Sequence, residues 1–306
     1  YIMLQRNLLY TAVTRAKERV LIVGSHSYLG TALAAHLAQW PEEYRVESMS
    51  VRDEAWRERS LEGFDAVYYT AALVHREQDK HDPAQKEAYL KINARLPVEL
   101  AQKAKEAGVR QFVFLSTMAV YGRTAPFGKT VTITKDTPLC PQDLYGLSKA
   151  KAEEGLLALE DNAFHVALLR PPMIYGKGCK GNYQQLRKLA LKMPCFPKIG
   201  NCRSMLYVGN LNCLVKQLLD SGSGGIFCPQ DGEYTDTGRM VQTIARLHGR
   251  SLPLLPGFGW ALSLLRPLTP KIDKAFGSLC YDRALSRYDR PYQVYSPEQA
   301  LQETEA

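Results

Sequence analysis

The sequence predicts an α/β fold, a doubly wound parallel sheet with a smaller part built from the C-terminal third. Three observations carry this. Runs such as VLIV at 20–23 and FVFL at 112–115 are continuously apolar, β-branched or aromatic, as strands covered on both faces are. They alternate with helix-period segments as far as residue 170, which calls for parallel β-α-β units. The first run also ends in a glycine turn that opens a helix.

In chain order, a strand over Arg19–Gly24 leads to a helix over Tyr28–Gln39 and a strand over Tyr44–Val51. A strand at Asp65–Ala72 precedes a long helix at Asp82–Gly108, a strand at Gln111–Thr117, a helix at Leu144–Glu160 and a strand at Phe164–Arg170. The passage from Tyr44 to Asp65 is short, so one strand-helix unit of the usual arrangement is expected to be missing. After Pro171 the texture changes to more frequent Pro, Gly and Cys and to shorter helices, among them Val208–Leu219 and Thr237–His248. This C-terminal part, packed over the carboxyl ends of the strands, would close a cleft where such sheets bind ligands.

Composition narrows the function classes. The 306 residues are 45% apolar and 23% charged, which excludes disorder, collagen and a short disulfide scaffold. The longest weakly polar stretch, Leu252–Leu268, is broken by Pro253, Pro256 and Arg266, so it falls short of the about 20 apolar residues a membrane span needs. No secretory leader is visible, and seven cysteines without a Cys-x-x-Cys pair suit a reducing compartment; the expectation is a cytoplasmic protein without a metal site. Net charge is +8, but Arg6, Arg15, Lys17 and Arg19 against Glu18 crowd the first 22 residues. A general basic face is therefore weakly supported, no nucleic-acid partner is expected, and anionic small molecules account for the mild excess.

The glycine turn Gly24-Ser25-His26-Ser27-Tyr28-Leu29-Gly30 stands between a strand and a helix, the context a dinucleotide requires. Glycine lets the backbone approach closely, and the helix N-terminus offers free amides to a diphosphate. Ser27 occupies the middle glycine position. A carboxylate about 20 residues on would hold ribose hydroxyls, whereas arginine would suit a 2′-phosphate. Glu47 lies within the strand, Asp53 lies late and Arg52 stands beside it, so both NAD and NADP remain open.

In DLYGLSKAKAEEG, from Asp143, Tyr145 and Lys149 stand at i and i+4 on one helix face. A neighbouring cation favours phenolate, which lets a tyrosine trade protons near neutrality. Alone, this spacing is also that of an ordinary surface pair. Upstream, Ser116 and Thr117 end a buried strand, where side chains face the ligand crevice of a parallel sheet.

Together the glycine turn, the strand-end hydroxyls and the Tyr/Lys pair resemble the extended short-chain dehydrogenase/reductases, and within them the sugar-nucleotide epimerase/dehydratase members. The resemblance runs from about Val20 to the C-terminus through TAA at 70–72, Asn93, STMAVYG at 116–122, YGLSK at 145–149, LRPPMIYG at 169–176 and RSMLYVGNL at 203–211. It implies a Rossmann-type NAD(P)-binding domain over residues 19–178 and a mainly substrate-binding part over 179–306, some of whose segments return to the first domain. Tyr145 would be the acid/base, Lys149 its electrostatic partner and ribose ligand, and Thr117 the hydroxyl of the triad, with Ser116 adjacent. The cofactor, NAD with NADP as the alternative, would meet Gly24, Ser27, Tyr28, Leu29, Gly30, Arg52, Asp53, Ala71, Ala72 and Pro172. Arg203 resembles an arginine that meets the substrate diphosphate, and Asn182 an asparagine that holds a substrate phosphate or sugar. The implied activity is 4-epimerisation of a nucleotide sugar, with a 4-keto-sugar reductase as the runner-up and a homodimer allowed. Met118-Ala119 offers no acid beside Thr117, which puts dehydration last. A non-catalytic redox sensor or nucleic-acid-associated protein would need only the glycine turn, not the triad.

Residues 1–18 stand apart. NLLYTAVTRAKERVLIVG, from Asn7, resembles the last conserved motif of superfamily 1 helicases, with Arg15 at its phosphate-contacting arginine. No phosphate loop accompanies it, since Gly122 and Gly128-Lys129-Thr130 are spaced one residue too far apart. The segment is expected to be an appended remnant without a catalytic role, joined between Thr14 and Val20.

Overall fold

The computed structural model describes residues 17–74, 82–257, 273 and 276–306. The helicase-like segment lies outside these, apart from Lys17 and Glu18. Six parallel strands form the central sheet: β1 (Glu18–Val23), β2 (Tyr44–Met49), β3 (Ala66–Tyr69), β4 (Gln111–Leu115), β5 (His165–Leu169) and β6 (Gly225–Phe227). Their order is β6-β5-β4-β3-β1-β2. Between β2 and β3 the chain makes only a 3-10 turn at Glu54–Arg57, so β2 is the edge and the strand-helix unit expected to be missing is absent.

Alternation along β1 divides the core. Leu21 and Val23 join Leu100, Ala101, Ala104, Ala152 and Leu156 from the helices on one face. Val20 and Ile22 join Leu33, Leu37, Leu211, Leu214 and Leu218 on the other. Burial on both faces explains the unbroken apolar runs, each large aliphatic side chain contributing roughly 1.5–3 kcal/mol. The helices on the sheet are α1 (Tyr28–Leu37), α2 (Pro83–Leu90), α3 (Leu96–Glu106), α4 (Leu144–Leu157) and, later in the chain, α6 (Val208–Ser221); α5 (Asn182–Lys192), α7 (Thr237–Leu247) and α8 (Pro297–Glu305) lie in the C-terminal part.

The long helix expected over Asp82–Gly108 is interrupted. Between α2 and α3 the segment Lys91–Arg95 is a π-turn. Pro97 lacks an N–H and its ring would crowd the carbonyl four residues back, that of Asn93, so the wider turn relieves a clash an α-helix would contain.

A strand before α4, Thr130–Ile133, pairs with Ser278–Tyr281. Beyond Leu169 the chain builds small two-stranded pairs, Met173–Tyr175 with Met205–Tyr207 and Phe196–Pro197 with Leu254–Leu255. With α5, α7 and α8 they enclose a third core of Tyr175, Tyr183, Phe196, Met205, Val241 and Ile244, against which Tyr28, Leu29 and Ala32 of α1 pack. The C-terminal part thus sits on the helix that follows the glycine turn.

Candidate active site

The chain leaves β1 for β2 on one side and crosses to β3 on the other, so a crevice opens at the carboxyl ends of β1 and β3. Gly24 fills it with backbone only. Its φ is +108°, and a β-carbon there would stand 2.8 Å from Thr70 Oγ1 and 3.1 Å from the Ala71 nitrogen. At Gly30 a β-carbon would meet Ser27 Oγ at 2.7 Å and Ile22 Cγ2 at 2.8 Å. Ser27, in the middle glycine position, works as the N-cap of α1: Gly30 N–H donates to its Oγ at 2.9 Å, and that hydroxyl lies 2.5 Å from Thr70 Oγ1. Thr70 in turn donates to the Val23 carbonyl at 2.9 Å. The serine therefore ties the glycine turn to the end of β3 while satisfying a helix terminus.

The first-turn amides of Tyr28 and Leu29 have no intrahelical partner. The buried Tyr28 hydroxyl has none either, and a β-carbon at Gly176 would come within 2.5 Å of it. A glycine cradle, helix-start amides and an orphaned buried hydroxyl suit the diphosphate and ribose of a dinucleotide. Half-buried Ala71 and Ala72 continue β3 into the same crevice, and buried Pro172 follows β5 on its far side.

On the adenosine side, Gly24 and Ser25 both donate to the carbonyl of Met49, placing the end of β2 against the turn. Glu47 is committed there: Arg19, Arg45 and Arg59 approach its carboxylate at 3.3, 3.6 and 2.8 Å. Asp53 accepts from Ala55 N–H at 3.1 Å, capping the 3-10 turn. Arg52 is exposed beside Ser50, whose hydroxyl accepts its backbone N–H.

The elements that carry Thr117 and Tyr145 are brought together by backbone packing. The 3-10 turn Met118–Tyr121, capped by Thr117 Oγ1 at 3.1 Å from Ala119 N, abuts the start of α4. The Ala119 carbonyl comes so close that a β-carbon at Gly146 would stand 2.6 Å from it, which is why YGLSK carries a glycine after its tyrosine. Asp143 caps α4 by accepting from Gly146 N–H at 2.7 Å. Lys149 is buried, donates from Nζ to the Leu115 carbonyl at 2.7 Å, and lies 4.3 Å from the Phe114 ring centre and 6.0 Å from that of Tyr145. Burial pushes this ammonium down to about 7. Burial, with the nearby Asp143 and Tyr89, raises the Tyr145 phenol well above its ordinary value. The Lys149 charge is desolvated and aimed at the Leu115 carbonyl.

Ser116 is placed elsewhere. Its hydroxyl is buried and donates to Glu153, whose carboxylate forms a buried pair with Arg170 at 2.6 Å; Arg170 also donates to the Tyr121 hydroxyl at 2.9 Å. This network braces α4, whereas Thr117, half-buried, spends its Oγ1 on capping the 3-10 turn that follows. Asn93, quoted in the sequence motifs without a role, is the residue the site reading missed. Held in the π-turn, its Oδ1 accepts from Leu73 N–H at 2.7 Å, and its Nδ2 donates to Leu73 O and to Ser148 Oγ, each at 3.1 Å. Ser148 itself donates to the Tyr145 carbonyl. Asn93 thereby couples the segment after β3 to the helix turn carrying Tyr145; Pro97, which forces the π-turn, was the signal in the sequence.

In the C-terminal part, Asn182 is exposed in the first turn of α5, which follows Gly181 at φ +91°. Arg203 is half-buried, its backbone is paired with Thr235 in both directions, and Nη1 lies 3.5 Å from the Gly277 carbonyl. Burial lowers its pKa. A wide hollow lined by Glu18, Asp65, Arg110, His165 and Asp220 lies at the opposite, amino-terminal ends of the strands, away from all of these residues. Among the described residues no group of three or more metal-ligating side chains gathers, and no helix is long and apolar enough to cross a membrane.

A family model described as the NAD dependent epimerase/dehydratase family matches residues 20–212. The chain is 29% identical to a UDP-glucose 4-epimerase of Vibrio cholerae, an alignment covering 96% of this chain and 95% of that one. It is 27% identical to N-acetyl-α-D-glucosaminyl-diphospho-ditrans,octacis-undecaprenol 4-epimerase of Escherichia coli O157:H7, over 77% of this chain and 74% of the other. Among solved structures, UDP-glucuronic acid 4-epimerase from Bacillus cereus in complex with NAD superposes with a TM-score of 0.70 at 16% identity, over 94% and 97% of the two chains. The dTDP-4-dehydrorhamnose reductase from Bacillus anthracis in complex with NADP gives 0.68 at 18%, over 94% and 98%. At these identities the structures share the fold.

Proposed function

The chain belongs to the NAD-dependent epimerase/dehydratase family, and from that premise we propose that it is an NAD(P)-dependent 4-epimerase of a nucleotide-activated sugar. The observation that carries the reading is the Thr117-capped 3-10 turn packed against the start of the helix carrying Tyr145, beside a glycine turn shaped for a dinucleotide. The near full-length likeness to a 4-epimerase of V. cholerae supports that reaction over net reduction.

Gly24, Ser27, Tyr28, Leu29, Gly30, Ala71, Ala72 and Pro172 would hold the cofactor, with Lys149 toward its ribose and Arg52 at the adenosine end. When bound, the cofactor supplies the hydride acceptor and the positive ring that the phenol needs nearby. Thr117 orients the C4 hydroxyl of the sugar, and Tyr145 accepts its proton as C4 is oxidised. Tyr145 returns the proton once the 4-keto sugar has turned, so the sugar leaves with C4 inverted. Arg203 and Asn182 grip the diphosphate side; an arginine fork matches paired phosphate oxygens as a lysine cannot. Holding the diphosphate while the sugar rotates keeps the keto intermediate from escaping.

The test is to incubate purified protein with a panel of UDP-sugars, once with trace NAD(P)⁺ and once with stoichiometric NADPH or NADH. A 4-epimerase yields the C4 isomer without net cofactor consumption. Stoichiometric oxidation of NAD(P)H with a 4-keto substrate, and no isomer from any UDP-sugar, would make it a reductase.

A further inference from the structure

Two of the seven cysteines are in contact. Cys202 immediately precedes Arg203, and Cys280 lies in the strand Ser278–Tyr281; their sulfurs are 3.3 Å apart, and Cys280 Sγ also donates to the Cys202 carbonyl at 3.0 Å. The two backbones are laced together around the pair. Cys202 N–H donates to Ser278 Oγ at 2.9 Å, Ser204 N–H to the Leu279 carbonyl at 3.1 Å, and Tyr281 N–H to Ser204 Oγ at 2.8 Å. These bonds hold the thiols together without a covalent link. Cys280 is buried, whereas Cys202 is half-buried and within reach of a small oxidant.

We infer that Cys202 and Cys280 form a reversible disulfide under hydroperoxide, and that closing it weakens the grip of Arg203 on the substrate diphosphate. The hydroperoxide ROOH oxidises the Cys202 thiol to a sulfenic acid and leaves as ROH. The Cys280 sulfur then attacks Cys202 Sγ, the S–O bond breaks, and the Cys280 proton departs with the hydroxide as water. The balance is two thiols and one ROOH giving one disulfide, one ROH and one water, and a reduced dithiol reverses it. Burial and the neighbouring Cys202 push the Cys280 thiol up to about 12, which leaves the half-buried Cys202 to meet the oxidant first; contact at 3.3 Å is what allows Cys280 to close the bond.

Bond formation draws the sulfurs from 3.3 Å to about 2.05 Å, a movement applied to the residue next to Arg203. Arg203 is pinned on its other side by both hydrogen bonds to Thr235, so the displacement falls on a short, braced loop. The effect on substrate rests on the proposed role of Arg203; formation of the disulfide does not.

The experiment treats the full chain with hydrogen peroxide, blocks free thiols by alkylation, and maps peptides by mass spectrometry beside steady-state kinetics. The expected result is a Cys202–Cys280 cross-linked peptide two hydrogens lighter than its reduced components, removed by dithiothreitol and absent from Cys202→Ser and Cys280→Ser. The oxidised protein should show a KM for its UDP-sugar raised roughly fivefold, with kcat and cofactor affinity nearly unchanged, and Cys202→Ser should keep the reduced KM after peroxide. Separate alkylation of both cysteines after peroxide, or sulfinic acid at Cys202 without a cross-link, overturns the pairing. A cross-link with KM unmoved overturns the coupling to Arg203. Protein that cross-links yet turns over no UDP-sugar even when reduced leaves the pairing standing and refutes the proposed function instead.

Discussion

The central sheet and the C-terminal part solve the same problem, placing a few side chains at a cleft, by opposite means. In the sheet, each strand hands the chain to a helix that packs on its neighbours, so Ser27, Thr117 and Tyr145 are fixed by nearby caps: Gly30 N–H on Ser27, Ala119 N–H on Thr117 Oγ1, Gly146 N–H on Asp143. In the C-terminal part, strands of two to four residues pair across long stretches of chain, Phe196–Pro197 with Leu254–Leu255, and Ser278–Tyr281 reaches back to Thr130–Ile133. Arg203 is held by Thr235 and approaches Gly277, both far from it in sequence. Chemistry built on rigid local elements should tolerate little change in its reacting atoms, while the binding part should adjust affinity without altering the chemical step.

The largest effect that would sharpen this division is Tyr145→Phe. The ring stays packed in α4 and only the hydroxyl with its exchangeable proton is lost, so turnover should fall by roughly 10²–10⁴ while cofactor affinity and thermal midpoint change little. Steady-state kinetics, cofactor titration and calorimetry measure the three quantities. Turnover within a few-fold of the parent would remove Tyr145 from the mechanism and the chemistry from the sheet.

The same contrast governs what could be read from the amino-acid order. Strands such as FVFL and helices such as α4 declare themselves through local period, and the short Tyr44–Asp65 passage announced the missing unit. Local order said less about side-chain commitments. Ser116 and Thr117 look interchangeable in sequence, yet the first is committed to Glu153 and the second caps the next 3-10 turn, a division set by which helix packs against each. The depressed Lys149 ammonium is likewise a property of burial, invisible in Tyr-x-x-x-Lys. The two-residue strands Phe196–Pro197 and Leu254–Leu255 were missed because so short a run carries no period, as were α5, which follows Gly181, and α8, which opens on Pro297.

Arg203→Ala probes the other half of the comparison. With its charge half-desolvated, removal should cost about 2 kcal/mol of substrate binding, read as a KM raised on the order of thirtyfold, with kcat and cofactor affinity nearly unchanged. A fall in kcat of the same size with KM intact would mean that the C-terminal part takes part in the chemical step, and the division drawn above would fail. An unchanged KM for every UDP-sugar would reopen the substrate class.

The smallest effect lies at the edge of the sheet and decides between the two dinucleotides. Glu47 is paired with three arginines and Asp53 is spent on a helix cap, so neither of these two carboxylates, among the described residues, is free to hold ribose hydroxyls or repel a phosphate. Arg52, exposed next to the Ser50 hydroxyl, can then pair with a 2′-phosphate, and the protein should bind NADP⁺ more tightly than NAD⁺. Because Arg52 is solvated, one such pair is worth only about 1 kcal/mol; Arg52→Ala should weaken NADP⁺ binding about fivefold and leave NAD⁺ binding unchanged, as read by calorimetric titration. Equal loss for both dinucleotides would place Arg52 on the shared diphosphate. Tighter NAD⁺ binding in the parent chain would mean that Asp53 leaves its cap when a ribose arrives, making this edge of the sheet as adjustable as the C-terminal part.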